Sequence, residues 1–178
     1  MRSLKNISAL VLLPTLLTST LAKGAAADYD YLLLVEISSK TLILYQLDGD
    51  QKEIKRFPVA TPLFSKALPL PLIGTVTKIE INPAWYPTSA TRSAYLKKYG
   101  KELPAVIRAG DPRNAMGKAQ LVIAYTNKSF HLPIRIHGNN DRASIGKKAT
   151  RGCIRMLNED ILTLIEIIKN HRTQVIMR

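Results

Sequence analysis

Short apolar runs, separated by turn-forming residues, recur along most of the chain. Within these runs apolar positions alternate with polar ones or are filled by β-branched and aromatic residues, a pattern typical of strands. The predicted strands span residues 31–36, 41–47, 53–59, 75–81, 105–108, 120–125, 134–137 and 173–177. An Asp-Gly-Asp turn at 48–50 predicts that the first three strands form a meander. Three prolines make 61–74 an expected irregular loop.

Two stretches have helical character. One is predicted to begin at Asn158 as N-cap, with Glu159 and Asp160 in the first turn, where acidic side chains suit the helix dipole. Its expected apolar face consists of Ile161, Leu162, Leu164, Ile165 and Ile168. The other is predicted over residues 89–99 and ends at Gly100. The pattern therefore predicts a mostly β protein with one well-defined helix close to its C-terminus.

The first 27 residues have the pattern of a targeting segment. A basic start is followed by an apolar stretch over residues 7–22, and small residues near Ala22 and Ala27 suit cleavage. The apolar stretch is short for a membrane span, and retention as an N-terminal anchor is the alternative to cleavage. We expect residues 1–27 to be a signal peptide or anchor, residues 28–178 to form one domain, and the protein to be exported to the periplasm or cell envelope.

The chain is strongly basic, with a formal net charge of +13. Loss of residues 1–27 would remove three basic residues and no acidic one, leaving +10. Such a surface attracts polyanions, and we expect weak association with anionic cell-wall or membrane surfaces. Nucleic acid is not an expected partner, because the basic residues are scattered and no reading helix is recognisable.

Candidate chemistry centres on His137 and Cys153, which bracket a polar loop. Cys153 is the only cysteine, so it is either buried and inert or used in chemistry. His137 ends a predicted strand, and a return of the chain could bring its imidazole against the thiol. In that arrangement we expect an ion pair that lowers the thiol pKa.

Two neighbours of Cys153 suit acyl chemistry. Gly152 has no side chain to block approach and leaves backbone N–H groups free to bind a developing oxyanion. Arg155 lies two residues beyond Cys153, so in an extended chain both side chains point to the same face. Its guanidinium could grip a substrate carboxylate or form a structural salt bridge.

These residues together resemble the signature of the L,D-transpeptidase catalytic domain (YkuD) family, in which His-Gly is followed by Ser/Thr-x-Gly-Cys-hydrophobic-Arg. The matching segments are His137-Gly138, Ser144-Ile145-Gly146, Thr150-Arg151-Gly152-Cys153 and Ile154-Arg155-Met156. Residues 72–75 and 82–87 are similar to the family's substrate-side stretch, so the resemblance covers roughly residues 31–178.

The resemblance implies a mostly β sandwich that acts on peptidoglycan stem peptides without a cofactor. Cys153 would be the nucleophile and His137 its base, oriented through Gly138, while the N–H groups of Gly152 and Cys153 hold the oxyanion. The positions that would shape or support the pocket are Ser144, Thr150 and Arg155. The thioacyl enzyme formed from a tetrapeptide stem would pass its acyl group to an amine of another stem or of a lipoprotein lysine.

Other functions remain open from the sequence. Water as acceptor would make the same site an L,D-carboxypeptidase or a hydrolase of such cross-links. A non-catalytic, basic wall-binding module is the alternative from a different class, and it predicts that Cys153→Ala leaves binding intact. His131 and His171 are expected at the surface, and one cysteine with three scattered histidines predicts no metal site.

Arg151 departs from the family pattern, in which many members have histidine directly before Gly-Cys. A second imidazole is therefore absent from this position. Arg151 could instead attract a stem-peptide carboxylate or favour the thiolate. Proton transfer then depends mainly on His137.

Overall fold

The computed structural model describes residues 28–63 and 68–178, so the expected targeting segment lies outside the described residues. Across that described part of the chain, none of the helices has the length and apolar character needed to cross a membrane.

Eight strands form the main mixed sheet, in the order β3-β2-β1-β10-β5-β6-β7-β9. Their bounds are β1 Tyr31–Glu36, β2 Thr41–Gln46, β3 Lys52–Pro58, β5 Leu72–Ile81, β6 Ala119–Tyr125, β7 Ile136–His137, β9 Ile154–Arg155 and β10 Thr173–Met177. The predicted meander of β1, β2 and β3 is confirmed, because both pairs are antiparallel. The C-terminal strand β10 inserts between β1, to which it is parallel, and β5.

A second, two-stranded sheet ties the polar loop to the body of the protein. It pairs β4 (Thr61–Pro62) with β8 (Lys148–Thr150) in parallel. The prediction of an irregular loop was therefore wrong at both ends of residues 61–74, since β5 already begins at Leu72. Proline did not prevent pairing, because the N–H groups of Thr61 and Leu63 on either side of Pro62 donate to carbonyls of the β8 segment.

The first helix, α1, spans Ser89–Tyr99 as predicted. Thr88 caps its start by accepting from the Thr91 N–H, and Gly100 ends it with a left-handed φ of 64°. No residue of α1 is buried, so this helix contributes little to the core.

The second helix, α2, spans Asn158–Ile168 and covers the sheet. Four of its five predicted apolar residues are buried, whereas Leu162 is 36% exposed. The buried residues join one cluster with Leu33, Leu121, Ile136, Ile154 and Met156 of the sheet and its edge. Burial of this stripe fixes α2 directly behind the segment that contains Cys153.

Two local predictions were wrong. Asn158 is the first helical residue rather than the N-cap, which is Leu157, because the Asn158 side chain makes contacts outside the helix. Residues 105–108 form no strand, and only Ile107 pairs there, in an isolated bridge with Trp85. Ile107 is 1% exposed whereas Val106 is 47% exposed, so a single buried side chain produced the strand-like pattern.

Candidate active site

Strands β7 and β9 bring the two ends of the polar loop together at one edge of the main sheet. They run in parallel, with Ile136 paired to Ile154 and His137 paired to Arg155. Ile136 and Ile154 are both fully buried in the core. Because side chains alternate along a strand, this anchoring turns His137 and Arg155 to the opposite face.

Cys153 lies one residue before β9, next to Arg135. The Ile154 N–H donates to the Arg135 carbonyl at 2.9 Å, and a backbone hydrogen bond from Arg135 also reaches the Cys153 thiol. His137 follows Arg135 by two residues, so it is a diagonal neighbour of Cys153 across the parallel pair. The predicted nucleophile and base therefore lie beside each other at adjacent strands, although they are 16 positions apart in the sequence.

The imidazole of His137 is 4% exposed and has one defined partner, the Gly138 carbonyl, 2.5 Å from Nδ1. A carbonyl oxygen only accepts, so Nδ1 carries the proton and Nε2 keeps a lone pair for chemistry. Burial lowers the pKa of His137 to about 4, helped by the charges of Arg155 and Arg135. The ring is therefore neutral near pH 7.

Burial also raises the pKa of the Cys153 thiol. The hydrogen bond from Arg135 and the charges of Arg135 and Arg155 act against this rise without cancelling it. The expected ion pair that lowers the thiol pKa was thus wrong for the free protein, in which thiol and imidazole are both neutral. Since the same two guanidiniums act on Cys153 and His137, these two groups share one electrostatic environment.

The turn before Cys153 is held by Thr150. Its hydroxyl donates to the Cys153 carbonyl at 2.6 Å and accepts from the Gly152 N–H at 3.4 Å. Within residues 28–63 and 68–178, no acceptor binds the Cys153 N–H. The Cys153 N–H is therefore free for an oxyanion, and the Gly152 N–H is held only by a long hydrogen bond.

Two asparagines, Asn139 and Asn158, support this site from behind, and neither was predicted from the sequence to be a site residue. Asn158 accepts from the N–H groups of Lys118 and Asn139 and donates to the Asn139 carbonyl. Asn139 in turn donates to the Met156 carbonyl at 2.7 Å. These contacts tie the residues after His137 to the residues after Cys153. The position of Asn139 directly after His-Gly was the available signal.

The described side-chain hydrogen bonds of Ser144 and Arg151 are made to residues other than Cys153 and His137. The buried Ser144 hydroxyl donates to the Asp141 carbonyl at 2.7 Å and supports a 3₁₀ turn over Arg142–Ser144. Arg151 is exposed, and its Nη1 lies 3.5 Å from Thr91 Oγ1 on α1. The charges that act on the Cys153 pKa come from Arg135 and Arg155 and not from Arg151.

Arg155 is half-buried beside the reacting groups. Across the described residues it forms no ion pair, although the charge of Asp141 raises its pKa against the larger lowering by burial. The salt-bridge interpretation therefore finds no described partner, whereas the guanidinium remains oriented towards the face that carries His137.

The other histidines lie outside this cluster. His131 is exposed, and His171 is 47% exposed and lies 3.4 Å from Asp30. Over the part of the chain that the structure describes, no group of three or more His, Cys, Asp or Glu could hold a metal ion.

Comparison with known proteins identifies the family. The L,D-transpeptidase catalytic domain (YkuD) matches residues 30–177, and the chain belongs to this family. It is 32% identical over 145 residues to the Escherichia coli (strain K12) protein named "Probable L,D-transpeptidase ErfK/SrfK", which covers 81% of this chain and 43% of that protein. It is 33% identical over 131 residues to "Probable L,D-transpeptidase YcfS" of the same strain, with 73% and 39% covered. The chain thus spans less than half the length of these relatives.

Solved structures confirm the expected fold. L,D-transpeptidase 3 from Mycobacterium tuberculosis superposes with a TM-score of 0.55 at 14% identity, covering 84% of this chain and 61% of that chain. An L,D-transpeptidase from Mycobacterium smegmatis gives a TM-score of 0.52 at 15% identity, covering 84% and 59%. The mostly β architecture is therefore that of L,D-transpeptidases.

Proposed function

We propose that this protein is a cysteine-dependent L,D-transpeptidase that acts on peptidoglycan tetrapeptide stems in the cell envelope. The observation that carries the proposal is the pairing of β7 with β9, which sets Cys153 diagonally beside His137 with Nε2 of the imidazole unprotonated. Family membership supports the choice of substrate. Export through the N-terminal segment is part of the same proposal.

In the first step, Nε2 of His137 takes the proton of the Cys153 thiol as the sulfur attacks the carbonyl between the third and fourth stem residues. A C–S bond forms, and the oxyanion is received by the backbone N–H groups of Cys153 and Gly152. The C–N bond then breaks, and the departing D-residue takes the proton back from the imidazolium.

In the second step, an amine attacks the thioester carbonyl. The C–N bond of the product forms, the C–S bond breaks, and the amine proton passes through His137 to the departing sulfur. The acceptor amine belongs to another stem or to a lipoprotein lysine, and water in its place gives hydrolysis.

A neutral resting pair suits this sequence of events. Thiol and imidazole need no charge until substrate arrives, and the positive charges of Arg135 and Arg155 then favour the thiolate that forms.

The test is product analysis after incubation with a tetrapeptide stem and an added amine. The proposal predicts release of the terminal D-residue and a tripeptide joined to the amine, both lost in Cys153→Ala. A tripeptide with a free carboxyl as the sole product would mean hydrolysis. Intact tetrapeptide in the presence of folded protein would contradict the proposal.

A further inference from the structure

The peptide group that joins Ile134 to Arg135 is hydrogen-bonded at both of its ends. Its carbonyl, which belongs to Ile134, accepts from the Tyr125 hydroxyl at 3.1 Å. Its N–H, which belongs to Arg135, donates to the sulfur of Cys153. Because the C=O and N–H of a trans peptide point in opposite directions, this one planar unit lies between the phenol and the thiol.

This peptide group lies outside the strand ladder. Strand β7 begins at Ile136, which pairs with Leu121 of β6, so the ladder between the two strands stops short of Ile134. In the described part of the chain, the Tyr125 hydroxyl is the only hydrogen-bond partner of the Ile134 carbonyl. The hydroxyl therefore takes the place of the ladder hydrogen bond that this carbonyl lacks.

The phenol ring of Tyr125 is packed against the core. It meets Phe130 edge to face, with ring centroids 5.3 Å apart, and its hydroxyl lies 4.0 Å from Met177 Sδ. Burial and the charge of Cys153 raise the pKa of this hydroxyl, so it keeps its proton while the thiol titrates. Tyr125 is therefore a fixed donor over the pH range in which the thiol reacts.

Ile134 also supports the turn that precedes the cysteine. Its side chain is 3% exposed and is the group that a Cβ on Gly152 would meet. The residue that the Tyr125 hydroxyl holds is thus in contact with the proposed oxyanion turn and directly precedes the N–H that reaches the sulfur. A displacement of Ile134 would disturb both.

The hydrogen bond from Tyr125 strengthens the hydrogen bond to the sulfur. A donor on the oxygen of a peptide group polarises that group, and the N–H at its other end becomes a better donor. A hydrogen bond to the charged form of a titrating group favours that form. The effect is therefore larger when Cys153 carries the negative charge of a thiolate than when the thiol is neutral.

We infer that Tyr125 is a positioning residue of the proposed acyl transfer, which favours the Cys153 thiolate through the peptide group between Ile134 and Arg135. The inference rests on the proposed role of Cys153 as the nucleophile. The ionisable groups that face the thiol from the neighbouring strands are Arg135, Arg155 and His137. Tyr125→Phe leaves all three in place and removes only the hydroxyl.

The test is the rate at which iodoacetamide alkylates the folded protein between about pH 6 and pH 10.5. Cys153 is the only cysteine, so alkylation reports this thiol alone and needs no peptidoglycan substrate. In Tyr125→Phe we expect the midpoint of the pH profile to rise by about 0.5–1 pH unit. Below the midpoint, the rate should fall by about three- to tenfold, in step with the thiolate fraction.

Tyr29→Phe is the matched control. The Tyr29 hydroxyl is hydrogen-bonded to Thr75 Oγ1 at 2.7 Å. Thr75 pairs with Ala124, the residue before Tyr125, so its side chain lies on the opposite face of the sheet from the Tyr125 ring. This control also removes one tyrosine hydroxyl and its hydrogen bond, and it should leave the pH profile of alkylation unchanged.

A second substitution at the same position tests the opposite sign. In 3-fluorotyrosine the fluorine makes the phenol more acidic and hence a stronger hydrogen-bond donor. Its incorporation at position 125 keeps the hydroxyl that supports the fold. The midpoint of the alkylation profile should then fall below that of the wild type.

The outcomes separate the two proposals. A midpoint that is unchanged in Tyr125→Phe, shifted equally in Tyr29→Phe, or not lowered by 3-fluorotyrosine overturns the inference and leaves the transpeptidase proposal standing. Folded wild-type protein that is alkylated but releases no D-residue from a tetrapeptide stem contradicts the proposed function. The role of Tyr125 in acyl transfer then falls with it, even if the alkylation profile shifts as expected.

Discussion

Asn139 and Asn158 exchange hydrogen bonds in both directions. The Asn139 N–H donates to Asn158 Oδ1 at 3.2 Å, and Asn158 Nδ2 donates to the Asn139 carbonyl at 2.9 Å. The same Oδ1 accepts from the Lys118 N–H at 2.9 Å. One side chain at the start of α2 therefore positions the segment that follows His137.

Asn158→Ala should destabilise the protein by about 2 kcal/mol or more, because two backbone N–H groups and one carbonyl lose their partner. Urea unfolding measures this. Thr163→Ala, on the exposed side of the same helix, removes a single hydrogen bond to the Glu159 carbonyl and serves as control. Equal stability of the two variants would contradict a structural role for Asn158.

Two glycines of the site should respond differently to a methyl group. A Cβ at Gly138 would collide with Asn158 Oδ1 and press on the Lys118 N–H, whereas one at Gly152 would meet only Ile134 at 3.5 Å, an ordinary contact. Gly138→Ala should therefore lower the free energy of unfolding by about 1–3 kcal/mol. Gly152→Ala should change it by less than about 0.5 kcal/mol.

Thermal or urea unfolding of both variants checks this pair. If Gly152→Ala is as stable as the wild type, a lower acylation rate in this variant would show that the substrate needs the open space at Gly152. An unaffected Gly138→Ala would mean that the packing around Asn158 is described wrongly, and a destabilised Gly152→Ala would mean the same for the space beside Ile134.

Stability should depend on His137 at mildly acidic pH. The folded protein keeps this imidazole neutral down to about pH 4, whereas in the unfolded chain it takes up a proton near pH 6.5. The contribution of the His137 imidazole to the free energy of unfolding is therefore fully present above pH 6.5 and is lost as the pH falls towards 4. Between pH 7 and 5 the expected loss is about 2 kcal/mol.

The measurement is urea unfolding at several pH values in wild type, His137→Gln and the surface control His131→Gln. Only His137→Gln should reduce the change in the free energy of unfolding between pH 7 and 5. The comparison between variants uses the slope of this free energy against pH and not its absolute value. Carboxylates with lowered pKa, such as Glu36 and Glu80, change the free energy of unfolding mainly below pH 4.5. They therefore contribute little to the slope between pH 7 and 5. An unchanged slope in His137→Gln would contradict a buried neutral imidazole.

Local pattern predicted the regular parts of this fold well. Strands β1 and β10 match the predicted bounds because their apolar residues alternate or fill a core position throughout. Strand β7 lies inside the strand predicted over 134–137 but has only two residues, and β9 was not predicted at all. Both exist through a partner distant in sequence. Asn158 shows the same limit, because its strong N-cap preference was overridden by contacts with Asn139 and Lys118.

The sequence singled out residues that the structure brings together, but it did not indicate their electrostatics. Spacing and residue type singled out His137 and Cys153, and no local signal indicated that burial would leave both neutral. Arg135 was missed because an arginine before Ile-His carries no motif. It acts on Cys153 through its charge and a backbone hydrogen bond, and its side chain donates to Gln120 on β6.

The proposed function depends most on Cys153 as the residue that is acylated. A penem contains a strained β-lactam carbonyl that acylates nucleophiles, which makes it a suitable probe. Intact-protein mass spectrometry after incubation with faropenem should show a single adduct that peptide mapping assigns to Cys153 and that Cys153→Ala lacks. An unmodified Cys153 in protein shown to be folded would contradict the covalent mechanism.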